Sequence, residues 1–234
     1  MKNRISYIRQ TDLFNPINQK YNIVMLGAGS LGSFITLNLA KLGFENISVY
    51  DFDIVTSYNL PNQFFRIQDV GKKKVVALKE IVKDFADIDI TIFDEKVTNE
   101  TLLPVGLNTV FILTFDSLQE RKKIFEMLKV YEGGYVMDAR CGGEGYNLQL
   151  IDLHNEDEMK QWEKSFEGEP TPLPCGAKSI IYTNLNLASE VCNIIKKLNN
   201  DEERPTRFFR HMKGYRIIQN QGIKKENNLE WNRK

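Results

Sequence analysis

The sequence predicts an α/β fold, namely a doubly wound, mostly parallel sheet with helices on both faces and an added crossover-loop region. Apolar strand-like runs alternate with helical periodicity along most of the 234 residues, which is typical of parallel strands joined by crossover helices. A glycine-rich turn also joins the first apolar run, at 23–26, to a helical pattern. Because no apolar run approaches 18 residues, we expect one soluble domain without a membrane span.

Local patterns predict the elements in order. After the glycine turn, apolar residues at helical spacing predict a helix that stops at Gly43, followed by a second strand at 47–50. A helix from Val75 to Phe85 comes next. Four further strands are predicted at 88–93, 110–114, 135–138 and 148–153.

The last third of the chain changes character. The charged stretch 154–174 ends among prolines and predicts a helix-containing surface excursion. A long helix with one buried stripe should follow it. The stripe consists of Ile181, Leu185, Ala188, Val191, Ile195 and Leu198.

The turn YNIVMLGAGSLGS at 21–33 has the pattern of a nucleotide-binding loop. Gly27, Gly29 and Gly32 form G-x-G-x-x-G between a strand and a helix, where glycine permits a tight turn and the approach of backbone N–H groups to phosphate. The following helix would present its positive N-terminus to the anion. Asp51 follows the second strand, where a carboxylate can accept hydrogen bonds from ribose hydroxyls. These features predict a nucleotide ligand in a Rossmann-like fold.

Composition and cysteine spacing argue against several classes. The 31 Lys and Arg residues balance 31 Asp and Glu residues, so no overall basic field favours nucleic acid as a partner. Cys141, Cys175 and Cys192 are far apart and form no C-x-x-C pair, which argues against a disulfide framework and a zinc site. We therefore expect a cytoplasmic protein without zinc.

The segment 51–74 separates this chain from an NAD-dependent oxidoreductase, which would fit the glycine loop equally well. Polar residues and a glycine follow the second strand at fixed distances. They are Asp51, Asp53, Asn59, Gln63, Gly71 and Lys74. With YIRQ at 7–10 and LTFDSLQER at 113–121, this spacing resembles the ThiF/MoeB superfamily, the fold of the ubiquitin-activating enzymes, over roughly residues 5–200.

The resemblance implies ATP-dependent adenylation. A carboxylate, usually the C-terminal glycine of a small ubiquitin-like or sulfur-carrier protein, or of a peptide, attacks the α-phosphate, forming an acyl-adenylate and releasing pyrophosphate. The implied cofactors are ATP and Mg²⁺. The implied organisation is an N-terminal arm over 1–20, an adenylation domain over 21–221 and a polar tail over 222–234.

Residue roles follow from position in the motifs. The resemblance places Asp51 at the ribose, and Asn59, Gln63 and Lys74 at the phosphates or the nucleotide. Lys74 belongs to a run of three lysines, which otherwise indicates a solvated face. Asp53 would contact the site or stabilise the turn. Asp116 would be the Mg²⁺ ligand; its alternative is to begin a helix, but Ser117 and Glu120 form a better capping box.

Two further residues complete the implied catalytic set. Arg9 would reach the phosphates as an arginine finger, and because this arginine comes from the partner subunit in the relatives, a homodimer is expected. Cys175 would be a nucleophile that attacks the adenylate, favoured by a helix N-terminus that lowers its pKa. The alternative for Cys175 is a small residue at a loop-to-helix junction. Cys192 lies on an apolar stripe and is expected in the core.

Asn62 departs from the family pattern, which has arginine in N-L-x-R-Q. A neutral amide does not replace a bidentate guanidinium contact, whose loss is worth about 2 kcal/mol. Either Arg66 substitutes, or turnover is slower, or the protein binds nucleotide without efficient chemistry. The hypothesis of an adenylyltransferase therefore has two alternatives. One is a tRNA-modifying ThiF-like dehydratase, which the balanced charge disfavours, and the other is a non-catalytic nucleotide-binding module.

Overall fold

The computed structural model describes residues 5–104, 106–131, 133–167, 179–212 and 216–220. Within these residues the chain forms one eight-stranded sheet and five α-helices. The strands are β1 (Asn22–Leu26), β2 (Ile47–Tyr50), β3 (Thr91–Phe93), β4 (Thr109–Leu113), β5 (Tyr135–Gly142), β6 (Gly145–Asp152), β7 (Arg207–His211) and β8 (Arg216–Asn220). The helices are α1 (Ser30–Leu42), α2 (Lys74–Ala86), α3 (Leu118–Leu128), α4 (Glu156–Lys164) and α5 (Ile181–Asn199).

The strand order is β3-β2-β1-β4-β5-β6-β7-β8. Strands β1 to β5 pair in parallel, with Val24 of β1 opposite Ser48 of β2 and Phe111 of β4. Strands β6, β7 and β8 continue the sheet antiparallel. The predicted fold class, a mostly parallel doubly wound sheet, is confirmed.

Helices cover both faces of the sheet, as predicted. One buried cluster joins apolar residues of α1, α2 and α5 to one face, and a second joins those of α3 and α4 to the other. Strand β4 is buried along its whole length, as expected of a central parallel strand covered on both sides. Burial on both faces fixes the register of β1 and β4, and therefore where their carboxyl ends lie.

Helix ends follow local sequence signals. Gly43 ends α1 in the left-handed region at φ 101°, and its N–H donates to Ala40 O at 2.9 Å, as the predicted glycine stop requires. Ser117 caps α3 by accepting from the Glu120 N–H at 3.3 Å. Asn155 caps α4.

The main differences from the prediction lie at the antiparallel edge. β5 and β6 form a longer hairpin than the apolar runs 135–138 and 148–153 indicate, because backbone pairing continues through polar residues such as Arg140 and Asn147. β7 and β8 had no apolar run to predict them. On α5, Ile181 and Leu185 are exposed, because the buried stripe runs through Asn184 and Leu187 instead.

The predicted boundaries at 20/21 and 221/222 stay predictions, and the tail from 222 lies outside the described residues. Part of the arm packs on the domain, since Phe14 is buried and its ring stacks on Phe44 with centroids 5.1 Å apart. No helix in the described ranges is both long and apolar enough to cross a bilayer.

A buried ion pair secures the connection between β2 and α2. Asp69 is fully buried and accepts from Arg66 Nε at 2.9 Å, while the same guanidinium reaches Glu80 and Asp84 on α2. Burial alone would raise the pKa of Asp69, but hydrogen bonds from Arg66 outweigh it and hold that pKa below its ordinary value. Asp69 therefore stabilises the folded chain in its ionised form.

We expect Asp69→Asn to lower the free energy of unfolding at pH 7 by about 2 kcal/mol, because it removes charge-assisted hydrogen bonds from a buried group. Since the folded pKa is depressed, this contribution is complete above about pH 5, begins to fall near the ordinary aspartate pKa of about 3.9, and is lost as pH falls through the lower folded pKa. Urea unfolding should show a constant difference from wild type down to about pH 5 that shrinks towards pH 3. The exposed control Glu100→Gln should show no such difference, and an Asp69→Asn difference unchanged at pH 3 would contradict the assignment.

Candidate functional site: the carboxyl ends of the parallel strands

The predicted site residues converge where the strand order reverses. β1 lies between β2 and β4, so the chain continues on opposite sides of β1 in the two halves of the sheet. Ligands of open α/β sheets bind at the carboxyl ends of the strands at such a switch point. The glycine turn follows β1, Asp51 follows β2 and Asp116 follows β4.

The glycine turn is shaped by close contacts that exclude side chains. Gly27 has φ 108°, and a Cβ there would lie 2.6 Å from Thr114 Oγ1. A Cβ on Gly32 would lie 1.9 Å from Gly27 O, so α1 packs directly against the turn. Gly29 differs, because a Cβ there would meet no described atom within 4 Å. The turn therefore leaves room for a ligand above Gly29, at the N-terminus of α1.

Asp51 joins the turn to the end of β2. Its Oδ2 accepts from the Ala28 N–H at 2.7 Å, and its Oδ1 accepts from the Asp53 N–H at 2.8 Å. Each carboxylate oxygen can accept more than one hydrogen bond. The side chain can thus hold the turn and still accept from a ribose hydroxyl.

Asp53 and Lys74 form an ion pair at the start of α2. Lys74 is 6% exposed, and its Nζ lies 2.7 Å from Asp53 Oδ2. Lys72 and Lys73 are more exposed and pair with other carboxylates. Of the three consecutive lysines, Lys74 is therefore the one that is not on a solvated face, and Asp53 stabilises the connection whether or not it contacts a ligand.

Asn59 and Gln63 lie on the connection between β2 and α2 but differ in their bonding. Asn59 Oδ1 accepts from the Thr56 N–H at 2.9 Å and from Thr56 Oγ1 at 2.7 Å, so this oxygen is used within the loop. Gln63 Oε1 is buried and has no hydrogen-bond partner in the described part of the chain. Because a buried carbonyl without a partner is costly, Gln63 Oε1 is open to a donor from a ligand or from water.

Thr114 and Arg121 hold the segment that leads to Asp116. Thr114 Oγ1 donates to Leu26 O at 3.0 Å or Gly27 O at 3.1 Å, which ties the end of β4 to the glycine turn. Arg121 is buried and donates to Phe115 O and to Leu113 O at 3.3 Å. Asp116 itself is exposed. Thr114 was missed in the sequence because a threonine after a strand carries no specific signal; its contact with the glycines is visible only in the fold.

The arm places Arg9 away from the glycine turn of its own chain. Gln10 Nε2 donates to Leu42 O at 2.8 Å, and Tyr7 packs close to Gly43. Both contacts lie at the C-terminal end of α1, about 20 Å from the helix start for 13 residues at 1.5 Å each. Arg9 is exposed and is not brought together with the other predicted residues.

The structure does not support Arg66 as a replacement for the missing family arginine. Its guanidinium is occupied by Asp69, Glu80 and Asp84. Asn62 lies on the connection between β2 and α2, and its backbone carbonyl accepts from Asn184 Nδ2 at 3.3 Å. Asn62 therefore places a neutral side chain where the family motif has arginine, and Arg66 does not supply the missing positive charge.

The three cysteines lie in different surroundings. Cys192 is in the core, Cys141 is near the end of β5, and Cys175 lies outside the described residues. Cys192 is 6% exposed within the core, which confirms its predicted position, and this burial raises the pKa of its thiol to about 12. Burial also raises the pKa of Cys141, whose Sγ donates to Asn184 Oδ1 at 3.5 Å. Cys175 falls in 168–178, outside the described residues, so its role stays a prediction.

The residues present suit ATP. Open space lies above Gly29, the first N–H groups of α1 can donate to a phosphate, and Gln63 Oε1, unpartnered within the described residues, can accept a hydrogen bond. For Mg²⁺, Asp116 supplies one hard oxygen ligand, and the metal takes its remaining ligands from phosphates and water. No group of three or more potential metal-ligating side chains occurs in the described ranges, so such an ion would depend on the nucleotide.

Fold and site together define a nucleotide-binding α/β protein with a glycine turn at the switch point. The family model described as ThiF family matches residues 10–229. The chain belongs to the ThiF family, as the motifs indicated.

The relatives found by sequence include enzymes that activate ubiquitin-like proteins. The chain is 31% identical over 137 residues to the NEDD8-activating enzyme E1 catalytic subunit of Arabidopsis thaliana, covering 58% of this chain and 28% of that protein. It is 36% identical over 96 residues to SUMO-activating enzyme subunit 2 of Dictyostelium discoideum, covering 39% and 14%. The matched segments thus span less than a third of these relatives.

Solved structures share the fold at low identity. E. coli MccB with AMPCPP and MccA has a TM-score of 0.67 and 16% identity, covering 88% of this chain and 65% of that one. PaaA has a TM-score of 0.66 and 18% identity, covering 88% and 74%. These likenesses show the architecture, and the residues of this chain must carry any argument about chemistry.

We expect Gly29→Ala to weaken ATP binding by about tenfold or more in protein that remains folded. The added methyl meets no described protein atom, so its contact cost falls on a ligand that lies over the turn. Isothermal titration calorimetry with ATP and thermal unfolding would measure the two effects. Gly106→Ala is the matched control, because its Cβ makes only an ordinary contact with Thr109 at 3.7 Å. Unchanged affinity in Gly29→Ala would exclude binding over the turn.

Proposed function

We propose that the protein is an ATP-dependent adenylyltransferase that activates the C-terminal carboxylate of a small ubiquitin-like or sulfur-carrier protein, or of a peptide. The observation that carries the proposal is the convergence of the glycine turn, Asp51 and Asp116 at one switch point in a chain of the ThiF family. Sequence relatives are NEDD8- and SUMO-activating enzymes, and solved MccB structures contain ATP, or AMPCPP with MccA.

The proposed reaction is a phosphoryl-centred substitution. A substrate carboxylate oxygen attacks the α-phosphorus of ATP, the bond from that phosphorus to the β-bridging oxygen breaks, and pyrophosphate leaves. The product is an acyl-adenylate. Because no proton must be moved, catalysis depends on alignment and on neutralising phosphate charge.

The residues divide this work. Asp51 holds the ribose, the first N–H groups of α1 receive phosphate oxygens, and the buried Lys74 adds positive charge at the start of α2. Asp116 holds Mg²⁺, which lowers the negative charge on the phosphates when it is bound. Asn59 and Gln63 orient the nucleotide from the β2–α2 connection.

A homodimer completes the site in this proposal. Arg9 is docked at the far end of α1 and cannot act at its own glycine turn without releasing the arm. The arm also exposes large apolar side chains, with Ile8 77%, Leu13 69% and Ile17 89% exposed. A second protomer would cover these side chains and receive Arg9 in its pocket.

A later acyl transfer to Cys175 is a separate step of the proposal. The thiolate would attack the acyl carbonyl, and AMP would leave as the thioester forms. A cysteine that makes no thioester while adenylation proceeds would limit the function to adenylation.

A non-catalytic nucleotide-binding module is the second candidate, favoured by Asn62 and by the commitment of Arg66 to carboxylates. ATP binding without exchange of pyrophosphate, whichever carboxylate substrate is supplied, would support it.

We expect Asp116→Asn to reduce ATP–pyrophosphate exchange by about a hundredfold with a candidate substrate present, because it removes the charge that holds the metal. Exchange of radiolabelled pyrophosphate into ATP measures the effect. Glu126→Gln removes a half-exposed carboxylate from α3 and should retain activity. Full activity in Asp116→Asn would remove the mechanism.

Mixing two inactive variants tests the shared site. We expect Arg9→Ala and Asp116→Asn each to lose exchange, and a mixture reassociated from denaturant to regain about a quarter of wild-type activity. That fraction follows because half of the dimers are mixed and each mixed dimer has one intact pocket. A mixture as inactive as its components, with a dimer verified by analytical ultracentrifugation, would show that Arg9 does not act across an interface.

A further inference from the structure

A buried carboxylate on β5 connects the segment before Asp116 to helix α4. The Asp138 side chain is 1% exposed. Its Oδ1 accepts from Arg121, and its Oδ2 accepts from Arg140 Nε at 3.0 Å and from Trp162 Nε1 at 2.8 Å. One carboxylate thus holds groups from α3, β5 and α4.

The connection towards the pocket runs through Arg121. Besides Asp138, its guanidinium donates to Phe115 O, and to Ala139 O at 2.7 Å. Phe115 is adjacent to Asp116, while Thr114 on its other side is bonded to the glycine turn. The path of the chain into Asp116 is therefore set from two directions, by the turn through Thr114 and by β5 through Arg121.

The connection towards α4 runs through Trp162 and Arg140. Trp162 is fully buried and packs edge-on against Phe125 of α3 with centroids 5.2 Å apart. Arg140 donates to Ser165 O at 3.1 Å and Ser165 Oγ at 2.9 Å, which holds the end of α4. Asp138 is therefore connected to α4 directly at Trp162 and, by way of Arg140, at Ser165 where the helix ends.

Within the described residues, Asp138 is the one carboxylate to which Arg121, Arg140 and Trp162 all donate. Two guanidiniums share one carboxylate, and burial by itself would raise the pKa of Asp138, but Arg121, Arg140 and the Trp162 indole outweigh burial and hold that pKa below its ordinary value. Without the carboxylate, the buried Arg121 would lose its ionic partner, which is strongly unfavourable. Its contact with Phe115 O would then no longer be fixed.

We propose that Asp138 is a positioning residue for Asp116, and that it couples the metal-binding segment to α4. The inference rests on the proposed use of Mg·ATP. In this inference Asp138 does not contact substrate. It fixes the position of Asp116 through Arg121, which donates to Phe115 O, and the same carboxylate accepts from Trp162 on α4. A change at Asp116 should consequently be sensed at Trp162.

The test uses Trp162 as a reporter. The chain has two tryptophans, so Trp231→Phe leaves Trp162 alone, and this single-tryptophan protein is the parent. We expect Mg·ATP to change the emission of Trp162 in the parent and not when Asp116→Asn is added. ATP binding measured by equilibrium dialysis should be strengthened by Mg²⁺ in the parent by about tenfold.

Asp138→Asn in the same background should lose the Mg²⁺ effect and the emission change, while metal-free ATP binding stays within about threefold of the parent. An equal loss of ATP binding with and without Mg²⁺, a retained Mg²⁺ effect, or a Trp162 emission that never responds to Mg·ATP in the parent would overturn the proposal. If Asp138→Asn does not fold, Trp162→Phe removes the indole donor together with part of a buried ring, and it should reduce the Mg²⁺ effect by about twofold or more.

Tyr146→Phe is the matched control for Trp162→Phe. Tyr146 is also a buried aromatic side chain but belongs to the cluster on the opposite face of the sheet, so its variant should keep the Mg²⁺ effect. These readouts do not use pyrophosphate exchange. A parent that shows the Mg²⁺ effect without exchange defeats the adenylation proposal alone, whereas normal exchange with an unaffected Asp138→Asn defeats this inference alone.

Discussion

The site depends on how the backbone turn after β1 is held between its two neighbouring strands. On one side Asp51 accepts from the Ala28 N–H, and on the other Thr114 donates to the carbonyls of Leu26 and Gly27. The glycines make these contacts possible, since a Cβ on Gly27 or Gly32 would collide with Thr114 or with the turn itself. The residues proposed to bind the nucleotide are therefore held in place by the same hydrogen bonds that join β2, β1 and β4.

The geometry of α1 separates the two ends of the proposed catalytic set. The glycine turn is at the start of the helix, and the arm that carries Arg9 is bonded to its end through Gln10 and Leu42. A helix of this length is rigid, and the distance along it exceeds the reach of one arginine side chain. In the proposed reaction, Arg9 would thus be supplied by another protomer or by a released arm, and the exposed apolar side chains of the docked arm favour the first arrangement.

The sequence predicted the parallel half of the fold well, because buried parallel strands and amphipathic helices leave strong apolar patterns. It did not predict β7 and β8, because short strands with alternating or polar residues leave only weak apolar patterns. The same division applies to the site. Glycines and motif aspartates carry a local signal, whereas the roles of Thr114 and Asp138 arise from contacts between residues 88 and 24 positions apart. Arg66 was a reasonable substitute by proximity in sequence, but α2 supplies two carboxylates that only the folded helix brings to it.

The basic side chains between β2 and α2 are already paired with carboxylates, which limits the positive charge that they can offer to a triphosphate. Lys74 is paired with Asp53, Lys73 with Asp94, and Arg66 with three carboxylates. Asn62 adds no charge where the family has a guanidinium. A cation already paired with a carboxylate contributes less field at a neighbouring phosphate than an unpaired one, because the two charges partly cancel at a distance. In the proposed reaction the larger share must then come from Mg²⁺ held at Asp116 and from Arg9 of a second protomer, so both should matter more here than in a relative that retains the arginine. An enzyme arranged in this way would be active only when metal, nucleotide and the second protomer are assembled together.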